Sequence, residues 1–261
     1  MLGYRKRSFA RAHTLLQTLR ANLENLAALK ELQQLLLREI VRAEEKIRKL
    51  KAERKAINKT AGGTKAKRSS YLANRVEGLR QCAYIWRCFG DAIAFLYMDK
   101  FALKHSFYST ETPNVKQDAG FISGKAGLAN EIALLEAALA NNIPAILVDL
   151  TNTIRHGDIC LMGEPDPYLI EVKASRKLDN RGKKQKRSLE KLRGFYETDK
   201  SAGLRGFPEV RRQTSDIPER TYVEQINQCI LEAKKVGHAT CQPDPAYTTW
   251  SLARAGRTLS R

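Results

Sequence analysis

The sequence predicts a mixed α/β (α+β) protein with an N-terminal α-helical hairpin extension. Three observations carry this: a long leucine-rich stretch of helical period in the first third, a change to short alternating apolar elements after about Ser123, and a net charge of +18. At 261 residues with 43% apolar side chains, the chain has the length and composition for a large folded core, unlike a wholly disordered basic tail.

Residues 9–58 read as one long helix. Leu16, Leu19, Leu23, Leu26, Leu37, Ile40 and Ile47 fall on an a/d seam. Lys30, Gln33 and Glu44 interrupt that seam, while Leu29, Leu32 and Leu36 shift the apolar stripe sideways. This irregularity suits an antiparallel hairpin better than a long dimeric coiled coil. The stretch from Thr60 to Ser70, with Gly62-Gly63, has loop composition and leads to a second helix from Tyr71 to about Lys104. Its apolar residues Ile85, Trp86, Phe89, Ile93, Leu96, Tyr97 and Phe101 read as packing surface rather than a platform for stacked bases.

From about Lys125 to Asn142 a helix places Leu128, Ile132, Leu135 and Leu139 on one face, and Asn141-Asn142 with Pro144 ends it. Ala145 to Leu150 is an apolar strand. Ile154–Met162 and Tyr168–Ala174 form a hairpin about the turn Gly163-Glu164-Pro165-Asp166. After a basic stretch, Thr221 to Val236 is an amphipathic helix stopped by Gly237. We therefore divide the chain into a basic, coiled-coil-like helical region, 1–110, and an α/β domain, 111–261.

Charge is unevenly distributed. Residues 1–80 carry 20 basic and 7 acidic side chains, residues 81–172 carry 6 and 11, and residues 173–261 carry 20 and 10. Two basic flanks around an acidic middle suit a polyanion gripped from both sides of a carboxylate-bearing centre. No uninterrupted apolar run is long enough for a membrane span, and no apolar segment follows the basic N-terminus as in a secretion signal. Cys82, Cys88, Cys160, Cys229 and Cys241 are an odd set without paired C-x-x-C spacing, which argues against a disulfide framework or structural zinc and for a reduced, cytoplasmic setting. The Gly120–Ala126 segment is one residue short of a phosphate-binding loop and has Ala126 where Ser or Thr should meet Mg²⁺. No Gly-x-Ser-x-Gly elbow is present.

In the third strand, Leu169, Glu171 and Lys173 share one face by the two-residue period. A turn centred on Glu164-Pro165 sets Asp158 across from Glu171, with the two carboxylates about 5 Å apart. Such a pair is repulsive unless a cation lies between them, and hard oxygen donors suit Mg²⁺, with Mn²⁺ as substitute. Glu131 borders the buried stripe of the preceding helix and adds a third carboxylate. His156 shares the face of Asp158 and could touch phosphate or transfer a proton. Lys183, Lys184, Lys186 and Arg187 suit phosphate contacts, a solvated basic loop being the alternative use of that run.

Gly157-Asp158, then twelve residues, then Glu171-Val172-Lys173, preceded by a helix bearing Glu131, resembles the PD-(D/E)XK nuclease superfamily. The similarity spans about residues 120–245, and His156-Gly157 replaces the usual proline before the aspartate. The resemblance implies a restriction-endonuclease-like core, a mixed sheet flanked by helices. It also implies Mg²⁺ held by Asp158, Glu171, the Val172 carbonyl and Glu131, with Lys173 assisting the attacking water. The expected function is a metal-dependent endonuclease hydrolysing phosphodiester bonds of nucleic acid, DNA ahead of RNA, with a homodimer or partner subunit engaged through the N-terminal helices. The rivals are a non-catalytic nucleic-acid-binding or assembly protein on a nuclease-like fold, and a helical interaction module whose α/β part is only structural.

Overall fold

A computed structural model describes residues 5–59, 65–117, 120–172, 180–213, 221–242 and 250–253. The expected first helix is two: α1 (Lys6–Ala21) and α2 (Leu26–Lys59). The break lies at two asparagines that compete with the helix for backbone donors. Asn22 Oδ1 accepts from Glu24 N at 3.0 Å, and Asn25 Oδ1 caps α2 by accepting from Ala28 N at 3.0 Å. Helix α3 (Lys65–Tyr97) returns along α2, as the paired residues Glu53–Arg68, Glu44–Arg87 and Leu23–Tyr97 show. The expected second helix stops at Tyr97, because the Asp99 carboxylate takes the free N–H groups of Phe101 and Ala102 and starts α4 (Lys100–His105).

Packing follows the apolar stripes except at Leu23, Ile85 and Phe101. Trp86 is fully buried and stacks on Phe9 with ring centroids 3.9 Å apart, whereas Ile85 and Phe101 are exposed. Helix α5 (Leu128–Ala140) leads into β1 (Ala145–Leu147), a 3₁₀ turn (Val148–Leu150), β2 (Ile159–Leu161) and β3 (Tyr168–Ile170). Helix α6 (Asn180–Thr198) and a small hairpin, β4 (Lys200–Ala202) with β5 (Glu209–Arg211), follow. The basic stretch at 183–187 is therefore helical.

The sheet β1-β2-β3 is an antiparallel meander, and every sheet among the described residues is antiparallel, so the mixed sheet expected from the sequence is not observed. Leu161↔Tyr168, Cys160↔Leu169 and Ile159↔Ile170 pair in the register that a turn on Glu164-Pro165 requires. The strands are shorter than the apolar runs. Tyr168 is exposed and lies beneath the Arg193 guanidinium.

Polar groups on the helices complete the sheet. Gln33, buried on α2, donates to Ala145 O at 2.9 Å and accepts from Leu147 N at 3.1 Å, closing the open edge of β1 as a neighbouring strand would. Asp91 accepts from Asn152 N and Thr153 N, each at 2.8 Å, and fastens the loop after the 3₁₀ turn to α3. Gly90 lets α3 reach that turn, since a Cβ there would lie 1.9 Å from Leu150 O.

One apolar core joins Leu19, Leu32, Leu36, Trp86 and Ile93 of the helices to Ile146, Leu150 and Ile159 of the meander. The chain divides into compact units after Arg212. The 110/111 boundary is thus one of composition, while packing runs across it. The second unit contains α7 (Val223–Val236), ended at Gly237, and the antiparallel pair β6 (His238–Cys241) and β7 (Trp250–Ala253). Among the described residues no helix is long and apolar enough to cross a membrane.

Candidate active site

The site forms where the meander loses its regularity. Gly157 has φ +77° and approaches β3 so closely that a Cβ would stand 2.8 Å from Ile170 O. Only glycine suits both constraints, and the chain bends there. Asp158 N consequently donates to Ile170 O at 2.7 Å, and the ladder ends at Ile159↔Ile170, one step before Asp158 could pair with Glu171. The Asp158 side chain turns to the backbone instead, with Oδ2 accepting from Val172 N at 2.8 Å.

The other oxygen of Asp158 meets a cation that the sequence motif does not contain. Lys125 Nζ lies 3.0 Å from Asp158 Oδ1, 2.8 Å from Asp149 Oδ2 and 2.9 Å from Glu131 Oε1. These carboxylates come from the residue just before β2, the 3₁₀ turn after β1, and the first turn of α5. Glu131 is 2% exposed, and burial raises its carboxyl above the ordinary value; Lys125 opposes that rise and Asp158 adds to it. Burial alone would lower Lys125, but hydrogen bonds and charge from Asp149, Glu131 and Asp158 outweigh it and hold the ammonium well above the usual lysine range.

The helical region fixes this cluster from behind. Glu44, 1% exposed in its side chain, accepts from Ser123 N and pairs with Arg87, both at 2.9 Å. Arg87 also donates to Asp149 O at 3.0 Å, and Arg48 donates to Ser123 O. Helices α2 and α3 thereby hold both the Lys125 segment and the Asp149 turn.

Glu171 lies in a neighbouring cavity of about 190 Å³ that Gly157, His156, Lys184, Gln185 and Ser188 also line. A larger groove of about 400 Å³, with Arg80, Arg155, Phe121 and Asp149 on its walls, likewise reaches Gly157. His156 is buried, and both ring nitrogens are engaged: Nε2 donates to Tyr108 O at 2.8 Å and Nδ1 faces Lys116 Nζ at 3.3 Å. Burial, then the Lys116 charge, pushes its pKa down to about 4, so it is neutral at pH 7. Its place is to anchor the 156–158 bend.

The structure therefore brings Glu131 and Asp158 together and adds Asp149 and Lys125. It sets Val172 against Asp158 through the backbone and puts Glu171 and Lys184 on the walls of one cavity. Lys183, Lys186 and Arg187 are exposed on α6, with Lys186 3.8 Å from Glu190. Lys173 lies outside the described residues. Asp149 had a signal in the sequence, a carboxylate inside the apolar run Ala145–Leu150. Lys125 had only its place in a segment resembling a phosphate loop.

Among the described residues no three His, Cys, Asp or Glu side chains form a ready-made metal cage. The carboxylates gather around the Lys125 ammonium at 2.8–3.0 Å, ion-pair distances, longer than the roughly 2.0–2.6 Å between oxygen and Mg²⁺ or Ca²⁺. The donor set is three carboxylates converging on one positive point, the hard oxygen chemistry that divalent ions prefer. Comparisons with protein-family models, curated proteins and solved structures returned no match for this chain.

Proposed function

We propose that this protein is a metal-dependent nuclease hydrolysing phosphodiester bonds of nucleic acid, with DNA ahead of RNA as substrate. The observation that carries the reading is the convergence of Glu131, Asp149 and Asp158 on one cationic point, next to the Glu171-Val172 segment whose N–H holds Asp158. The order α5, β1, β2, β3, α6, with Asp158 just before the second strand and Glu171 just after the third, supports a PD-(D/E)XK-type arrangement.

Glu131, Asp149 and Asp158 would hold Mg²⁺, with Glu171 and the Val172 carbonyl beside them. The ion would polarise the scissile phosphate and acidify a bound water. The chain supplies the remainder: Asp158 is oriented by Val172 N, His156 braces the bend, and Lys184 contributes positive charge to the cavity that Glu171 lines. Exposed Lys183, Lys186 and Arg187 add a row of charge suited to a phosphate backbone.

A non-catalytic nucleic-acid platform is the second reading, favoured by the way Lys125 already offsets the carboxylates. Labelled single-stranded DNA, duplex DNA and RNA incubated with Mg²⁺ or Mn²⁺ separate the two. Cleavage that falls about 100-fold or more in Asp158→Ala and Lys173→Ala, with binding retained, supports the nuclease. Salt-sensitive binding without cleavage in either metal supports the platform.

A further inference from the structure

Lys125 is not part of the motif that suggested a nuclease, yet its ammonium occupies the point on which the carboxylates focus. We infer that Lys125 is a built-in counter-cation of the cluster, and that a divalent ion enters only by exchange for its ammonium. The inference rests on the reading of Glu131, Asp149 and Asp158 as a cation site and adds how that site is loaded.

The arrangement suits exchange rather than simultaneous occupancy. A lysine ammonium has three N–H donors, and three carboxylates take them at 2.8–3.0 Å. A divalent ion held by all three of those oxygens at once would have to stand at the point where Nζ now stands. One positive charge against three negative ones leaves the cluster attractive to a divalent ion. The Lys125 side chain is 29% exposed, whereas those of Glu131, Asp149 and Asp158 are 3%, 12% and 13% exposed, so Lys125 is the most solvent-accessible side chain of the cluster.

The backbone need not move for the side chain to leave. Glu44 holds Ser123 N, Arg48 holds Ser123 O, and a Cβ on Gly124, whose φ is +80°, would stand 3.3 Å from the Arg48 guanidinium. With the main chain pinned two residues away, rotation of a flexible four-carbon stem is enough to carry the ammonium out. A lysine serving only as a structural partner would stay between the carboxylates when an ion is added.

Manganese binding to the full chain, followed by calorimetry and by the electron paramagnetic resonance signal of free Mn²⁺, tests the exchange. Lys125→Met, which keeps the stem and removes the charge, should bind Mn²⁺ about tenfold tighter or better than wild type. Lys125→Gln, which also lacks the charge but retains an amide donor, guards against a folding defect in Lys125→Met. In wild type, acylation of Lys125 by acetic anhydride, read by peptide mass spectrometry against Lys30, should rise with Mn²⁺ occupancy. Equal affinity in wild type and the neutral variants, or labelling indifferent to Mn²⁺, overturns the exchange while leaving a cation site that Asp158→Asn weakens. Failure of wild type and both neutral variants to bind Mn²⁺ removes the cation reading itself, and this inference with it.

Discussion

Buried carboxylates in the helical region and in the meander are treated in opposite ways. Glu39 on α2 is met by Arg5 at 2.8 Å, Arg42 at 3.3 Å and Ser8 at 3.2 Å. Glu44 has Arg87 and a backbone N–H, and Asp91 has two backbone N–H groups and the Asn152 amide. Each has its own donors. Against the meander, Glu131, Asp149 and Asp158 converge on a single ammonium, with Val172 N as a further donor to Asp158. Matched donors hold a fold together, whereas a surplus of buried like charge costs stability and persists where a site needs it.

The largest test of this contrast concerns the wall common to both regions. Gly90→Ala would drive a Cβ into Leu150 O and push α3 off the turn that carries Asp149, costing about 3 kcal/mol or more in urea unfolding. Gly194→Ala on α6, where a Cβ meets nothing within 4 Å, should instead gain up to about 1 kcal/mol. Equal behaviour of the two would mean that helices and meander do not pack as one body.

A smaller effect separates the two kinds of carboxylate directly. Glu44→Ala strands the Arg87 guanidinium and Ser123 N and should cost about 3 kcal/mol. Asp149→Asn removes one of three like charges and should change the stability of the metal-free protein by no more than about 1 kcal/mol while impairing the proposed cleavage. Similar losses in both variants would erase the distinction.

The smallest effect is in pH. His105 lies edge-on to Phe195 and 2.7 Å from Arg205, and burial, then Arg205, Arg212 and Lys104, pushes it down to about 4. Its folded pKa is below the ordinary 6.5, so the unfolded chain takes up the proton first. The stabilisation is complete above pH 6.5 and lost as the pH falls towards 4, and His105→Gln should flatten that part of a melting-temperature profile. Glu131 has the opposite sign: its raised carboxyl favours the fold at low pH, and that contribution is lost as pH rises through its folded pKa.

Particular residues show what could be read in advance. The turn Gly163–Asp166 carried the β2–β3 register, because a tight hairpin leaves few pairings. The helical hairpin was visible in the shifted leucine stripe. The split at Asn22–Asn25 was hidden because its leucine spacing continues through the break. Gln33 looked like a seam defect until the sheet edge it closes was known.

The sequence by itself determined the mixed α+β class, the helical hairpin, the hairpin register and the candidates Asp158, Glu171 and Glu131, all of which follow from local period, turn chemistry and residue type. Tertiary structure alone decided that Lys125 and Asp149 join Glu131 and Asp158, that His156 turns inward, and that Glu44 and Arg87 brace the site. Those contacts link residues between 6 and 79 positions apart, across separate elements. No periodic signal records such distances, and only packing of the helices against the meander brings the charges to one point.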